Sequence, residues 1–238
     1  MINIAFVGNP NVGKTALINK ISNASLKMGN WPGVTIEKKE VFFKVGNEDV
    51  KLIDLPGIYN LSIGTPEERI SRNFILEEDV DVIINVVDST SLERNLYLTA
   101  LLKEMGKPMV MALNFEDEFK KLDYKLNLET LEKQLGMKTI FTSGRNGAGI
   151  DELMKEAVEA FKRNQTQKQI SYKLSFDNNI EKEIDSVKEK LSKLENKEIL
   201  KKYSLDWLAI KSLENDMNLF ANLKTKYGVD ISDLAKEE

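Results

Sequence analysis

Short apolar runs alternate with segments of helical periodicity through roughly the first 160 residues, and this alternation constrains the fold most strongly. Ile2–Val7, Val82–Val87 and Met109–Leu113 are almost entirely apolar and have the length of strands. Between such runs, apolar residues recur with helical spacing, as in Ile150–Phe161. Continuous apolar strands separated by helices predict an α/β fold with a mostly parallel sheet that is covered on both faces.

Turn and capping residues mark the ends of several predicted elements. Gly46-Asn47 lies between two strand-like runs and predicts a hairpin. Thr65–Glu68 has the pattern of a capping box with proline at the first helical position. Gly106 and Gly228 are predicted to end helices.

The composition changes at Lys162–Gln169, which contains no apolar residue. We therefore predict one domain over residues 1–163 and a small all-helical subdomain over residues 164–238. In the second part, apolar residues recur in steps of four and three. They are Ile180, Ile184, Val187, Leu191 and Leu194. This stripe is too short to favour a coiled coil, so we expect it to pack within the subdomain.

The composition also excludes several classes of function. The chain has a net charge of -4 and contains neither histidine nor cysteine. Nucleic acid is therefore not expected as a main partner, and disulfides, the usual zinc sites and a Ser-His-Asp triad are excluded. No apolar run approaches the ~20 residues that cross a bilayer, so we expect a soluble chain. An enzyme of this composition would depend on backbone amides, lysine, hydroxyls, carboxylates and bound ions.

The sequence GNPNVGKT, Gly8–Thr15, fits the phosphate-binding pattern G-x-x-x-x-G-K-[ST] and lies between a strand and a helix. Backbone N–H groups of such a loop surround phosphate oxygens at a helix N-terminus. Lys14 is expected to reach the terminal phosphates and the Thr15 hydroxyl to bind Mg²⁺. The predicted nucleotide-binding residues here are Gly8, Asn9, Pro10, Asn11, Val12, Gly13, Lys14, Thr15 and Ala16.

The sequence DLPG, Asp54–Gly57, ends the strand after the hairpin. Alone it indicates only a turn, but after a phosphate-binding loop it predicts a second part of the same site. Asp54 is expected to hold Mg²⁺ through water, and the Gly57 N–H is expected to meet the γ-phosphate.

Two further strand ends carry residues suited to a guanine base. In NFED, Asn114–Asp117, the Asp117 carboxylate can accept hydrogen bonds from N1–H and the 2-amino group of guanine, a donor pair that adenine lacks. Asn114 and Asp117 are therefore predicted to bind the base. In TSG, Thr142, Ser143 and Gly144 follow the next strand, where a backbone N–H could meet guanine O6.

Four such motifs in this order resemble the TRAFAC-class GTPases with Ras-like G domains, over residues 1 to 163. The resemblance implies a Ras-like P-loop GTPase fold with a mostly parallel six-stranded sheet. Three positions depart from the usual pattern: Phe115 replaces a lysine, Gly144 replaces an alanine, and Ile58 replaces the glutamine that orients water in Ras-type enzymes. Intrinsic hydrolysis is therefore expected to be slow or to depend on something other than the side chain of Ile58.

The segment GNWPGVT, Gly29–Thr35, lies where G domains have switch I. The resemblance implies that Thr35 binds Mg²⁺ and the γ-phosphate in the triphosphate state and that Gly33 and Val34 contact the nucleotide. Trp31 could stack on the nucleotide, contact a partner or anchor the loop.

Together with the motifs above, GNWPGVT resembles the FeoB family of ferrous iron transporters, as do SRNFIL and ERNLYLT. The resemblance implies GTP and GDP as ligands and a regulatory role in Fe²⁺ uptake by a membrane permease region of the same full-length polypeptide. It places the domain on the cytoplasmic side of the cell membrane. Small cytosolic Feo proteins and a second copy of the chain are further candidate partners.

Potassium is a further expected cofactor. In G domains with an asparagine at the position of Asn11, its side-chain carbonyl binds K⁺, and the backbone carbonyls of Gly29 and Trp31 could complete the shell. The expected catalytic residues are therefore Asn11, Lys14, Thr35 and Gly57. A ribosome- or tRNA-associated GTPase and a sensor that binds GTP and GDP without hydrolysis are the alternative functions.

Overall fold

The structure is a computed structural model that describes residues 1–21, 25–61, 64–166, 176–194 and 196–234. Within these ranges the chain forms seven strands. They are β1 (Ile2–Gly8), β2 (Ser25–Asn30), β3 (Glu37–Val45), β4 (Glu48–Asp54), β5 (Val82–Asp88), β6 (Met109–Asn114) and β7 (Thr139–Phe141).

The same ranges contain ten α-helices. They are α1 (Lys14–Ile21), α2 (Pro66–Glu77), α3 (Leu92–Glu104), α4 (Glu116–Phe119), α5 (Leu128–Leu135), α6 (Ile150–Thr166), α7 (Asn178–Ser192), α8 (Lys197–Lys202), α9 (Leu205–Leu213) and α10 (Met217–Tyr227).

The strands form one sheet in the order β2-β3-β4-β1-β5-β6-β7. The pairs from β4 through β7 are parallel, and the β2–β3 and β3–β4 pairs are antiparallel. The predicted α/β fold with a mostly parallel sheet is thus confirmed. The expected number of six strands is wrong, because the segment Ser25–Asn30 pairs with β3 and adds an edge strand.

The apolar runs form the centre of the sheet, as their composition requires. β6 is buried along its whole length, and so is β5 up to Val87. Helices α1 and α6 cover one face of the sheet with Leu17, Ile18, Leu153 and Ala157. Because both neighbours of each central strand are parallel strands, the carboxyl ends of β1, β5 and β6 share one edge, where the predicted motifs lie.

The predicted turns and caps are confirmed. Val45 pairs with Glu48 across the hairpin turn. Thr65 caps α2 in a complete capping box with Glu68. Gly106 and Gly228 both adopt positive φ after the last residues of α3 and α10.

The chain divides into two compact units, one of Met1–Leu102 with Lys107–Tyr172 and one of Lys103–Gly106 with Lys173–Glu238. Helix α6 continues to Thr166, so the predicted limit at residue 163 falls inside this helix. Residues 167–175, which include the end of the polar segment, lie outside the described residues. No helix in the described ranges has both the length and the apolar character needed to cross a membrane.

The second unit is helical and has its own core. Ile184, Val187 and Leu191 of α7 are buried, and so is Trp207 of α9. Ile180, at the start of the predicted stripe, is exposed. The stripe therefore packs within the helical unit over its central part only.

Candidate nucleotide-binding site

The loop between β1 and α1 is shaped by close contacts at its two glycines. A Cβ at Gly8 would lie 2.3 Å from the carbonyl oxygen of Val86, and a Cβ at Gly13 would lie 2.3 Å from Nδ2 of Asn114. Gly13 has φ 84°, and Asn11 has φ 65°. Both glycines are therefore required for the loop to pack against β5 and the loop after β6.

Lys14 folds back over this loop. Its Nζ donates to the carbonyl oxygens of Gly8 and Asn9 at 3.0 and 3.1 Å. The side chain is buried, and burial lowers the pKa of Lys14 to about 8, although attraction by Asp54 opposes this shift. The lysine is thus a fixed cation at the centre of the predicted phosphate site.

Gly57 lies directly beside the same loop. A Cβ at Gly57 would lie 2.9 Å from Cα of Pro10 and 3.2 Å from Nζ of Lys14. The next residue, Ile58, donates its N–H to the carbonyl oxygen of Gly8 at 3.2 Å, and its side chain is buried. The Ile58 side chain is therefore part of the core and has no polar group for orienting water.

Asp54 and Thr15 offer the oxygen atoms that Mg²⁺ prefers. The Thr15 hydroxyl hydrogen-bonds to the Asp54 carboxylate, while Oδ1 of Asp54 is buried without a hydrogen-bond partner in the described part of the chain. Burial raises the pKa of Asp54 to about 6. A buried carboxylate oxygen without a partner fits a site for a cation or its bound water. No group of three or more His, Cys, Asp or Glu residues within the described ranges could hold a metal.

Asn114 connects three segments of the predicted site. They are the phosphate loop, Gly8–Thr15, and the two base loops, Asn114–Asp117 and Thr142–Gly144. Its Nδ2 donates to the carbonyl oxygen of Val12 at 2.8 Å, and its Oδ1 accepts from the Gly144 N–H at 3.0 Å and from the Thr142 hydroxyl at 3.4 Å. It is completely buried. The side chain therefore joins its own loop to two others, the phosphate loop and the loop of Thr142 and Gly144, as a buried amide with satisfied donors and acceptors can.

Asp117 is held by the neighbouring loop. The Ser143 hydroxyl donates to its Oδ1 at 2.9 Å, and Nη1 of Arg145 lies 3.8 Å from its Oδ2. The hydrogen bond from Ser143 lowers the pKa of Asp117. The carboxylate is thus ionised at neutral pH and able to accept hydrogen bonds.

Two of the departures from the usual motif have a packing role. Phe115 has φ 67°, and its ring atoms Cε1 and Cζ lie 3.3 Å from a Cβ placed at Gly13. A Cβ at Gly144 would lie 2.8 Å from Cβ of Ala16. The ring therefore covers the phosphate loop, and the glycine avoids a clash with α1 that the sequence did not indicate.

The loop with Gly33 and Thr35 is anchored by Trp31. The Trp31 N–H donates to the carbonyl oxygen of Ile36 at 2.9 Å, and the Val34 N–H donates to the carbonyl oxygen of Trp31 at 3.2 Å. The indole is 5% exposed, and its ring meets Phe74 edge to face with centroids 5.2 Å apart. Of the three interpretations of Trp31, the structure supports the loop anchor.

The predicted site residues thus fall into two groups. The contacts above bring together the phosphate loop, Asp54, Gly57 and the residues of the two base loops. Thr35 and Gly33 are exposed, and Gly29 pairs with Lys38 in the sheet. The contribution of Thr35 and the potassium set of Asn11, Gly29 and Trp31 remain predictions.

Sequence reasoning missed two residues beside the site. The Ser89 hydroxyl donates to the carbonyl oxygen of Asn114 at 2.6 Å. Lys39 lies opposite Asp54 in the β3–β4 pair. Neither residue belongs to a recognisable motif, and only the strand register brings them to the site.

Comparisons with known proteins agree for both units. Residues 2–157 match the family described as "Ferrous iron transport protein B", and residues 176–238 match the "FeoB cytosolic helical domain". The Fe(2+) transport protein A/Fe(2+) transporter FeoB fusion protein of Porphyromonas gingivalis is 40% identical over 232 residues, which is 95% of this chain and 27% of that protein. The chain thus spans little more than a quarter of that relative.

Solved structures are similar to the whole chain or to about two thirds of it. The cytosolic domain of the T. maritima FeoB iron transporter in its GMPPNP form is 33% identical with a TM-score of 0.85, over 100% of this chain and 88% of that chain. The G domain of the same transporter, solved alone, is 40% identical with a TM-score of 0.63 over 67% of this chain and 98% of that chain. With its Ras-like sheet, its phosphate loop and these matches, the chain belongs to the FeoB ferrous iron transport protein family, whose cytosolic part is a GTPase domain followed by a helical domain.

Proposed function

We propose that this chain binds GTP and GDP with Mg²⁺, hydrolyses GTP slowly, and acts as a switch that regulates Fe²⁺ uptake by a membrane region of a longer polypeptide. The observation that carries the proposal is the position of Asn114, whose amide joins the phosphate loop to both loops expected to hold guanine. We place the GTP-binding domain at residues 1–163 and the helical regulatory subdomain at residues 164–238.

In this proposal each end of the nucleotide has its own residues. The Asp117 carboxylate accepts from N1–H and the 2-amino group of guanine, and the ring of Phe115 lies beside the phosphate loop as an apolar wall. Lys14 exchanges its hydrogen bonds with Gly8 and Asn9 for phosphate oxygens, which a charged donor binds more strongly than neutral carbonyls. Guanine specificity and phosphate affinity thus come from different loops of one framework.

Thr15, Thr35 and Asp54 would hold Mg²⁺, with Asp54 acting through water. When bound, this ion would neutralise phosphate charge and hold the nucleotide in place. The Gly57 N–H, beside Lys14, would hydrogen-bond to the γ-phosphate. Contact of Thr35 and Gly57 with the γ-phosphate, which only the triphosphate state offers, is the basis of the proposed switch.

The experiment that tests nucleotide binding is calorimetry with GDP, GTP and ATP on the parent chain and on Lys14→Ala. We expect guanine nucleotides to bind, ATP to bind far more weakly, and Lys14→Ala to lose at least tenfold in affinity, because the phosphates lose their fixed cation. Lys20→Ala, on an exposed turn of the same helix, is the matched control and should bind as the parent does. Parent-like GDP binding by Lys14→Ala would refute the phosphate-loop assignment.

Hydrolysis is tested by steady-state release of phosphate from GTP. We expect slow release, because the buried Ile58 side chain cannot orient the attacking water. Binding of GTP without any release of phosphate would instead support the alternative of a nucleotide sensor that does not hydrolyse GTP.

Potassium is the proposed activator. Asn11 is exposed with φ 65°, so its side chain is accessible at the start of the phosphate loop. Bound K⁺ would supply the positive charge that an arginine finger provides in other GTPases. The proposed ligands are the Asn11 side-chain carbonyl and the backbone carbonyls of Gly29 and Trp31.

We expect phosphate release to be several-fold faster in potassium than in sodium at equal ionic strength. Asn11→Ala and Asn11→Asp should abolish this difference while GTP still binds, as calorimetry can establish. Equal rates in both salts for the parent chain would contradict the potassium role. The binding proposal would be unaffected by that outcome.

A further inference from the structure

Lys39 is the nearest strand neighbour of a predicted magnesium residue. In the antiparallel pair of β3 and β4, Lys39 lies directly opposite Asp54. Side chains at directly opposed positions have Cβ atoms about 5 Å apart. The Lys39 side chain is only 17% exposed, so its charge is less screened than that of a free surface lysine.

Glu37 accompanies Lys39 on the same face of β3. Residues two apart in a strand point to the same side, and Nζ of Lys39 lies 3.2 Å from Oε2 of Glu37. The Glu37 side chain is 46% exposed. Lys39 therefore forms an ion pair with the surface carboxylate of Glu37 and also acts electrostatically on the buried carboxylate of Asp54.

Both charges act on Asp54. Burial is the largest influence on the pKa of Asp54, but Lys39 lowers this pKa and Glu37 raises it. Lys14 also acts on the same carboxylate, and its role in the phosphate loop accounts for its position. Lys39 has no such role, yet it places a second positive charge beside the carboxylate expected to hold Mg²⁺.

We propose that Lys39 weakens Mg²⁺ binding at Asp54 and that Glu37 offsets this effect, so that the Glu37–Lys39 pair sets the magnesium affinity of the nucleotide complex. The inference rests on the proposed function, because the magnesium site is part of it. A nearby positive charge repels a divalent cation. The attraction of Lys39 for the Asp54 carboxylate is present with and without the metal, so above the pKa of Asp54 the repulsion reduces the free energy gained on binding Mg²⁺, and the negative charge of Glu37 opposes this reduction.

An ordinary surface ion pair would behave differently. Exposed pairs of this kind contribute little to stability, and losing one changes the unfolding equilibrium without a specific effect on metal binding. If the Glu37–Lys39 pair sets Mg²⁺ affinity, the affinity responds to the charge at position 39 and responds in the opposite direction to the charge at position 37. If the pair is only a surface ion pair, neither charge changes the Mg²⁺ affinity.

The test titrates magnesium chloride into the complex of the chain with a fluorescent GDP analogue in EDTA-buffered solution. Apparent Mg²⁺ affinity is read from the fluorescence and from the rate at which excess GDP displaces the analogue. We expect Lys39→Met to raise Mg²⁺ affinity by about three- to tenfold and Glu37→Gln to lower it by about two- to threefold. Opposite shifts from neighbouring charge removals are not produced by general damage to the fold.

Two further variants serve as controls. Lys39→Arg keeps the charge and should retain the parent affinity. Lys44→Met removes the same charge from the far end of β3, where Lys44 pairs with Asp49 on the surface, and should leave the affinity unchanged. If Lys39→Met unfolds, as circular dichroism would reveal, the decrease expected for Glu37→Gln decides the question.

Different outcomes would contradict the role of Lys39 and the proposed nucleotide site. Unchanged or lowered Mg²⁺ affinity in a folded Lys39→Met variant that binds the GDP analogue would overturn the role of Lys39. Failure of the parent chain to bind the analogue at any Mg²⁺ concentration would instead refute the proposed nucleotide site.

Discussion

Asp117 shows how one side chain can be prepared for a ligand by a loop other than its own. It follows the left-handed residue Phe115 at the start of the short helix α4, while the hydrogen bond that orients it comes from Ser143 after β7. The ordered carboxylate presents acceptors without rotating first. Preorganised polar groups of this kind discriminate strongly, because a ligand without the matching donors leaves them unpaired.

Replacing Asp117 by asparagine should therefore change the base preference. We expect Asp117→Asn to bind GDP at least tenfold more weakly and to gain affinity for xanthosine diphosphate, because the amide N–H can donate to the second xanthine carbonyl. Competition binding with the two nucleotides measures this change. Asp123→Asn, an exposed position in the following loop, is the control. A variant that prefers GDP as strongly as the parent does would show that Asp117 does not contact the base.

Asp54 links the site to the stability of the fold. Its pKa is about 6 in the folded chain, because burial disfavours the ionised form, against a usual value of 3.8. The folded state therefore binds this proton more tightly than the unfolded state does. The resulting contribution to stability is complete below about pH 4 and is lost as the pH rises through about 6.

In the absence of nucleotide and magnesium, Asp54→Asn should remove this dependence. We expect the unfolding free energy of the variant, relative to the parent, to rise by about 2 kcal/mol between pH 4 and pH 7, since asparagine cannot ionise. Urea denaturation at the two pH values measures the difference. Asp49→Asn, whose side chain is 63% exposed on the same strand, should show no such change. If the unfolding free energies of Asp54→Asn and the parent changed with pH in the same way, the raised pKa of Asp54 would be contradicted.

At the scale of elements, sequence reasoning was reliable where a single element carries the signal. The apolar runs of β1, β5 and β6, the capping box before α2 and the Gly46-Asn47 turn were all predicted from local patterns. Strand β2 was missed because the alternation of polar and apolar residues in Ser25–Asn30 covers only four residues and ends at Gly29. Its position comes from backbone pairing with β3, which side-chain patterns do not record.

Contacts between elements were beyond the sequence for the same reason. The motifs indicated which residues are expected to bind phosphate and base, but they did not indicate that Asn114 joins the loops or that Trp31 packs on Phe74 of α2. Lys39 is a similar case, because its place beside Asp54 depends on the register of two antiparallel strands. Motifs thus predicted the chemistry of the site, and only the packed sheet shows which residues surround it.

At the scale of the whole molecule, the two units have separate cores. The sheet and helices α1 and α6 form the first core, and α7 and α9 contribute Val187, Leu191 and Trp207 to the second. The last turn of α3, Lys103–Gly106, groups with the second unit. In that unit, Glu104 pairs with Lys211 at 3.2 Å, and each side chain is 9% exposed.

A fragment of residues 1–166 should therefore fold and bind GDP within about threefold of the parent affinity, because every residue of the proposed nucleotide site lies in the first unit. The G domain of the T. maritima transporter was solved alone, which supports independent folding of the matching part of this chain.

The ion pair of Glu104 with Lys211 gives a second prediction. The fragment lacks Lys211, so Glu104→Gln should leave the stability of the fragment nearly unchanged. In the full chain the same substitution should cost about 1–3 kcal/mol, because Lys211 loses a buried partner but keeps Glu214. Calorimetry with GDP and thermal unfolding of the four proteins test both parts. A fragment that is folded but fails to bind GDP would show that residues after 166 belong to the nucleotide site.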